Sequence, residues 1–181
     1  EITDNSDRIR RIVENLKHMS RQDSGDLGEK VDIQNVLEAA IMILHNQIQK
    51  LTDTCVLEVP DSLPLVPGNS QQLEQVFINV LLNALQALPD RSKGVHISAS
   101  YDPATDLLMV AIRDEGRGIP ERDMGRLTEP FFTTRTHAGG TGLGLSISRS
   151  IVERHGGSMG FESVLGVGTT VSIQLPAIHK A

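Results

Sequence analysis

Apolar positions in residues 1–22 repeat every seven: Ile2, Ile9 and Leu16, with Ile12 and Met19 three beyond the latter two. This is an a/d seam with Asn5 as a polar member and Arg and Lys on its flanks, and it predicts a coiled-coil-type helix that needs a partner. An amphipathic helix lying on its own domain would satisfy the same pattern. Asp23-Ser24-Gly25-Asp26-Leu27-Gly28 breaks the period and reads as a linker, expected over 23–31. The helical period returns from Asp32, a residue able to N-cap, to Lys50, with Ile33, Val36, Leu37, Ala40, Ile41, Leu44 and Ile48 on one side. Cys55 to Val59 is a short strand, and Pro60 to Gly68, with three prolines, reads only as a connection.

Gln71 to Leu88 is the most apolar helix. Val95 to Tyr101 and Leu107 to Arg113 alternate with period two around a turn at Asp102–Asp106, which predicts a hairpin. A short helical segment over 121–127 precedes an aperiodic stretch to Thr141. Leu143 to His155 is helical and stops at Gly156-Gly157. A second hairpin joins Ser158–Ser163 to Thr169–Leu175. The pattern predicts an α+β domain over 32–181, one antiparallel-rich sheet with helices on one face.

Composition narrows the functional classes. A length of 181 residues suits one domain plus an appendage. Seventeen Lys+Arg against 23 Asp+Glu, with one Tyr, four Phe and no Trp, argue against a nucleic-acid surface and against base stacking. The lone Cys55 forms no internal disulfide, as in a reducing, cytoplasmic compartment. No apolar run reaches the roughly 20 residues of a membrane span, and no secretory signal opens the chain. A start at Glu1 rather than Met suggests a piece of a longer protein.

Three features carry chemistry. In Asp114-Glu115-Gly116-Arg117-Gly118-Ile119-Pro120, two glycines flank one residue at a strand end, so bare backbone can approach something flat. The acidic side chain beside it suits an exocyclic amine such as adenine's; a glycine-rich turn with a solvated Asp reads equally well. Gly139-Gly140-Thr141-Gly142-Leu143-Gly144-Leu145 places four glycines before a helix, where N–H groups and the positive helix end favour an anion, a phosphate chain above all. It is neither a Walker loop nor a dinucleotide fingerprint, and a purely structural glycine run remains open. Asn79 and Asn83 interrupt the apolar stretch Val76–Leu85, four apart on one helix face. They form an internal polar network or reach a hydrated Mg²⁺.

Together, Gln75-Val76-Phe77-Ile78-Asn79-Val80-Leu81-Leu82-Asn83-Ala84 resembles the N box of sensor histidine kinases. Asp114-Glu115-Gly116-Arg117-Gly118-Ile119 resembles their G1 box, Glu129-Pro130-Phe131-Phe132-Thr133-Thr134 the F box, and Gly140-Thr141-Gly142-Leu143-Gly144-Leu145 the G2 box. Order and spacing both match over about Asp32 to Pro176. The resemblance implies the Bergerat ATP-binding fold, a two-layer α/β sandwich shared with heat-shock protein 90, type II topoisomerases and MutL. Asp114 would then accept the adenine amine, with a water relay that includes Thr169, while Gly116, Gly118 and Ile119 admit the base. Asn83, with Asn79 beside it, would ligate Mg²⁺ on the phosphates, and Gly140, Thr141, Gly142, Leu143, Gly144 and Leu145 would wrap them. Residues 119–139 would form an ATP lid that includes Thr134, with Phe131 and Phe132 as its apolar anchor.

Asn79 separates branches of this superfamily. Its ATP-hydrolysing relatives carry a Glu four residues before the magnesium Asn. An amide cannot take a proton at neutral pH, whereas transfer to a neutral imidazole needs no base. Arg135 is a candidate contact for the moving phosphoryl charge, or a solvated lid residue. None of the six histidines lies in a His box; His18 reads as an exposed helix position. Residues 1–22 then resemble the second helix of a dimerisation and phosphotransfer hairpin. The resemblance thus implies ATP and Mg²⁺ as cofactors, with a second kinase protomer and a response-regulator receiver domain as partners. Gln86 and Ala87 depart from the usual Lys and Tyr or Phe and resemble the NtrB-like subgroup. The lid between Thr134 and Gly139 is short. An anti-sigma-type serine kinase or an ATP-gated dimerisation module shares the fold.

Overall fold

The computed structural model describes residues 27–133 and 141–178. The seam over 1–22 lies outside them, as do Thr134, Arg135, Gly139 and Gly140. Helix α1 (Ile33–Ile43) starts where the sequence places a cap: the Asp32 carboxylate accepts the N–H groups of Gln34 at 3.0 Å and Asn35 at 3.3 Å. The stripe expected to run unbroken to Lys50 bends at Leu44, and α2 (His45–Leu51) follows. Leu44 is buried while α2 has no buried residue, so the second helix pivots on that side chain.

Helix α3 (Ser70–Ala87) is capped by Asn69, whose side chain accepts the Gln72 N–H at 3.0 Å. Its buried face (Leu73, Val76, Phe77, Val80, Leu81, Ala84, Leu85) packs between α1 and α5 (Gly144–Arg154). The remaining helix, α4 (Glu121–Met124), is a single turn.

Five strands form the main sheet in the order β2-β4-β5-β7-β6, with β2 (Cys55–Glu58), β4 (Val95–Asp102), β5 (Leu107–Asp114), β6 (Ser158–Val164) and β7 (Gly168–Pro176). Both predicted hairpins form, and β5 pairs with β7 antiparallel. The β2–β4 pair is parallel because α3 lies between them in the chain and returns it to the same end of the sheet. Alternation puts Val95, Ile97, Leu108, Val110, Ile112, Val171, Ile173 and Leu175 on the face covered by the helices. The result is the expected α+β two-layer sandwich.

Two segments differ from expectation. Glu29–Val31 (β1), within the stretch read as linker, pairs antiparallel with Val66–Gly68 (β3), within the stretch read as connection. Val31 and Val66 are both buried, and that apolar pair outweighs the proline signal. Pro67 is tolerated because a two-stranded ribbon has an outer edge where its missing N–H costs nothing. No helix among the described residues is long and apolar enough to cross a membrane.

His155 ties two distant elements together. It C-caps α5, whose end is a Schellman turn: Gly156 N–H reaches Glu153 O at 3.0 Å and Gly157 N–H reaches Val152 O at 2.9 Å, with Gly156 at φ 73°. The buried ring places Nδ1 2.7 Å from Ile151 O, while Nε2 accepts the Asn69 N–H at 3.0 Å. That pattern needs a neutral ring protonated on Nδ1. Burial pushes the His155 pKa below its usual 6.5, and the neighbouring Arg154 charge acts in the same direction. The unfolded chain therefore binds the proton more readily. This contribution to stability is complete above about pH 6.5 and is lost as pH falls below it. Thermal unfolding between pH 7.5 and 5 is expected to show this acid loss, reduced in His155→Gln.

Candidate nucleotide site

Period-two alternation continues Leu108, Val110 and Ile112 onto Asp114, so the last residue of β5 faces the helix layer and is 5% exposed. Its Oδ1 accepts the Gly116 N–H at 2.8 Å and the Thr169 N–H at 3.3 Å. Two backbone donors on one oxygen hold the carboxylate in one orientation. Thr169 is its cross-strand partner on β7, and Thr169 Oγ1 lies 2.8 Å from Ser163 Oγ. Ser163 also accepts the Ile119 N–H at 2.8 Å and lies 3.0 Å from Gly168 O. One hydroxyl thus joins the glycine loop to the β6–β7 turn.

The loop is clamped on its other side by α3. Arg117 N–H reaches Ala87 O at 3.1 Å, and its guanidinium reaches Gln86 O at 3.1 Å. A Cβ on Gly116 would lie 2.5 Å from Asp114 Oδ1 and 2.7 Å from the Ala87 Cβ, so the absence of a side chain there is a packing requirement. The same contact gives Ala87 a reason to be small. From Ala87 back to Asn79, one face of α3 spans eight residues, about 12 Å at 1.5 Å per residue.

At the other end of that span, Asn79 Nδ2 donates to Gly144 O at 3.4 Å and to Ser148 Oγ at 3.3 Å. Both acceptors sit on the first turns of α5. That helix starts at Gly144 without a side-chain cap, since the capping position is Leu143, whose side chain has no acceptor; Ser146 Oγ donates to Leu143 O at 2.9 Å. Its first N–H groups and positive end therefore face the loop before it. Asn83, one turn on from Asn79, is half-buried on the same face of α3.

Leu143 and Gly142 play different parts from one another. The Leu143 side chain is 1% exposed and packs in the core, leaving only its backbone toward the loop. Gly142 adopts φ 67° and accepts the Phe131 N–H at 2.9 Å. Leu145 packs partly against the core, and Thr141 Oγ1 accepts the Leu143 N–H at 3.4 Å. Phe131 corrects one expectation. At φ 68° its backbone N–H bonds Gly142 O, and its ring is 63% exposed rather than buried. Phe132 is half-buried, with the Arg126 guanidinium 4.4 Å above its ring.

Asp114, Gly116, Gly118, Ile119 and Thr169 are thus gathered at the C-terminal end of α3, and Asn83 lies one turn back along that helix. Asn79, one turn further back, meets the start of α5, which Thr141, Gly142, Leu143, Gly144 and Leu145 lead into. Sequence reasoning missed Ser163, Ser148 and the capping role of Asn69. Ser163 left one signal: it is a polar residue in the inward series Met159, Phe161, Ser163 of β6.

A mixed sheet under three helices, an acid beside bare backbone and an uncapped helix start define an ATP-binding sandwich. The profile of the family "Histidine kinase-, DNA gyrase B-, and HSP90-like ATPase" matches residues 68–179, and the chain belongs to that family. Within it the chain is similar to sporulation kinase B of Bacillus subtilis strain 168, 34% identical over 173 residues. It is also similar to the sensor histidine kinase WalK of the same strain, 33% identical over 179 residues. Each alignment covers 94% of this chain but only 39% and 29% of the respective kinase, so the chain spans less than half the length of these relatives. The mycobacterial sensor histidine kinase MprB superposes with a TM-score of 0.72 at 27% identity, over 84% of this chain and 99% of that structure. The domain is an ATP-binding catalytic domain of the sensor histidine kinase type.

Proposed function

We propose that this domain holds MgATP along α3 and donates its γ-phosphoryl group to a histidine imidazole on a helical hairpin, for onward transfer to a response-regulator aspartate. The adenine amine meets Asp114, the base lies against Gly116, Gly118 and Ile119, and Thr169 joins the carboxylate through water. The phosphates lie at the start of α5, wrapped by Gly140 to Leu145, with Thr134 and Arg135 contributed from the lid. Residues 1–22 belong to the dimerisation hairpin, which brings a second protomer, and the reaction takes place in the cytoplasm.

The observation that carries this reading is Asn79. Its amide is tied to α5 by both hydrogen bonds of Nδ2, at the place where a water-activating carboxylate would have to stand. An amide there leaves water unactivated, while a neutral imidazole attacks without a base. The chemistry left to the domain is positioning and charge neutralisation.

The donor set fits magnesium held through the phosphates. Among the described residues no three His, Cys, Asp or Glu side chains come together as a metal cage. Mg²⁺ characteristically takes one or two protein oxygens plus phosphate oxygens, and the amide oxygens of Asn83 and Asn79 are hard donors of that kind. When bound, the ion neutralises charge on the β- and γ-phosphates.

The test supplies a separate hairpin carrying an acceptor histidine, with γ-labelled ATP. Acid-labile, base-stable label on the hairpin is the expected result. Acid-stable label on serine would instead establish the anti-sigma-type kinase reading.

A further inference from the structure

Ser148 has no part in the family's sequence boxes, yet its hydroxyl is one of the two acceptors on Asn79. The residue is fully buried on α5, between Ile147 and Ile151, where a methyl group would pack as well. A buried hydroxyl costs free energy unless bonded, so its partner matters. Gly144 and Ser148 are four apart and lie on one face of the first turns of α5. Gly144 O can only accept, so the edge of the Asn79 amide facing it must be Nδ2. Ser148 Oγ, at 3.3 Å, then receives the other N–H of the same group. With both N–H groups occupied, Oδ1 is the remaining acceptor, and among the described residues no hydrogen bond reaches it.

We propose that Ser148 is a positioning residue. It locks the Asn79 carboxamide in the orientation that turns Oδ1, rather than Nδ2, toward the Mg²⁺-bound phosphates. With Ser148 removed, one N–H loses its acceptor, and the amide is held only by the 3.4 Å bond to Gly144 O. Rotation about the terminal torsion, which is broad and roughly two-fold, is then opposed only by that one long bond and by Oδ1 meeting Gly144 O, instead of by two hydrogen bonds. A rotated amide presents donors to a cation, which repels them. This inference rests on the magnesium reading of Asn79.

Nucleotide affinity is measured by titration with excess Mg²⁺ and with EDTA, for the unaltered chain, Ser148→Ala, Asn79→Ala and the double variant. Ser→Ala within a helix raises helix propensity, and melting curves check that each variant is folded. Ser148→Ala is expected to cut the Mg²⁺-dependent gain in affinity about three- to tenfold, the worth of one ordinary hydrogen bond, while Mg²⁺-free affinity changes less than about twofold. In the Asn79→Ala background it is expected to add nothing, since its effect passes through Asn79. A Ser148→Ala gain equal to that of the unaltered chain, or an equal loss in both backgrounds, overturns the inference and leaves the magnesium reading standing. An unchanged gain in Asn79→Ala overturns both.

Discussion

Asp114→Asn lowers the affinity for adenine nucleotides about 10- to 100-fold and leaves the melting temperature within a few degrees. The two effects separate because the two carboxylate oxygens have separate tasks. Oδ1 accepts the Gly116 and Thr169 N–H groups, and the Asn oxygen can keep both bonds. The amide nitrogen is then forced to the other side, where the adenine amine is expected. Donor faces donor, and a hydrogen bond to a charged acceptor, worth about 1.5–3 kcal/mol, is lost. Asp114→Ala behaves differently. It orphans two buried N–H groups at about 1–3 kcal/mol each, so it lowers stability as well as binding. Isothermal titration with ATP, paired with thermal unfolding of both variants, reads this out. Unchanged ATP affinity in Asp114→Asn would place adenine elsewhere.

Asp114 also shows how far the sequence reaches. Alternation through Leu107–Arg113 gives the strand and its inner face, and one more step of two from Ile112 lands on Asp114. The direction of the carboxylate therefore follows from the strand period alone. The same holds for the Asp32 cap, the Gly156-Gly157 stop and both hairpins, because each depends on residues a few positions apart. What was hidden depends on contacts between distant segments. Val31 meets Val66 across 35 positions and makes strands of a predicted linker and a predicted connection. Ser163 bonds Ile119 across 44 positions, and Ser148 bonds Asn79 across 69. No local period marks a serine as the partner of a loop so far away in the chain. Phe131 also departs from expectation: its apolar side chain predicts burial, but its backbone is left-handed at φ 68°, its N–H bonds Gly142 O, and the ring is left largely exposed.

Gly118→Ala is expected to cost both stability and nucleotide affinity heavily. Gly118 adopts φ 69°, which costs a residue with a Cβ about 1–2 kcal/mol. The added carbon would also overlap the Val164 carbonyl oxygen and approach Val164 C to 2.7 Å and Leu165 Cα to 2.8 Å. All three are backbone atoms of the β6–β7 turn, so no side chain can rotate away. Relief requires the glycine loop to separate from the turn. That motion breaks the 2.8 Å bond from Gly166 N–H to Arg117 O and the 2.8 Å bond from Ile119 N–H to Ser163 Oγ. With those gone, the backbone expected to face adenine is displaced together with the Ser163–Thr169 pair. The expected loss is about 3 kcal/mol of stability, from strain plus two hydrogen bonds, with nucleotide affinity down by more than about 100-fold (over 2.7 kcal/mol). Gly166→Ala is the control that separates strain from collision. It has φ 80° in the same turn but open space around its Cβ, so it carries only the backbone cost and keeps its N–H bond to Arg117. Titration of both variants should find Gly166→Ala within about threefold of the unaltered affinity, since strain of about 1 kcal/mol that is shared by the free and bound states does not weaken binding. Equal losses in the two would mean that the left-handed backbone alone governs the site and that the close approach of Gly118 to Val164 is incidental.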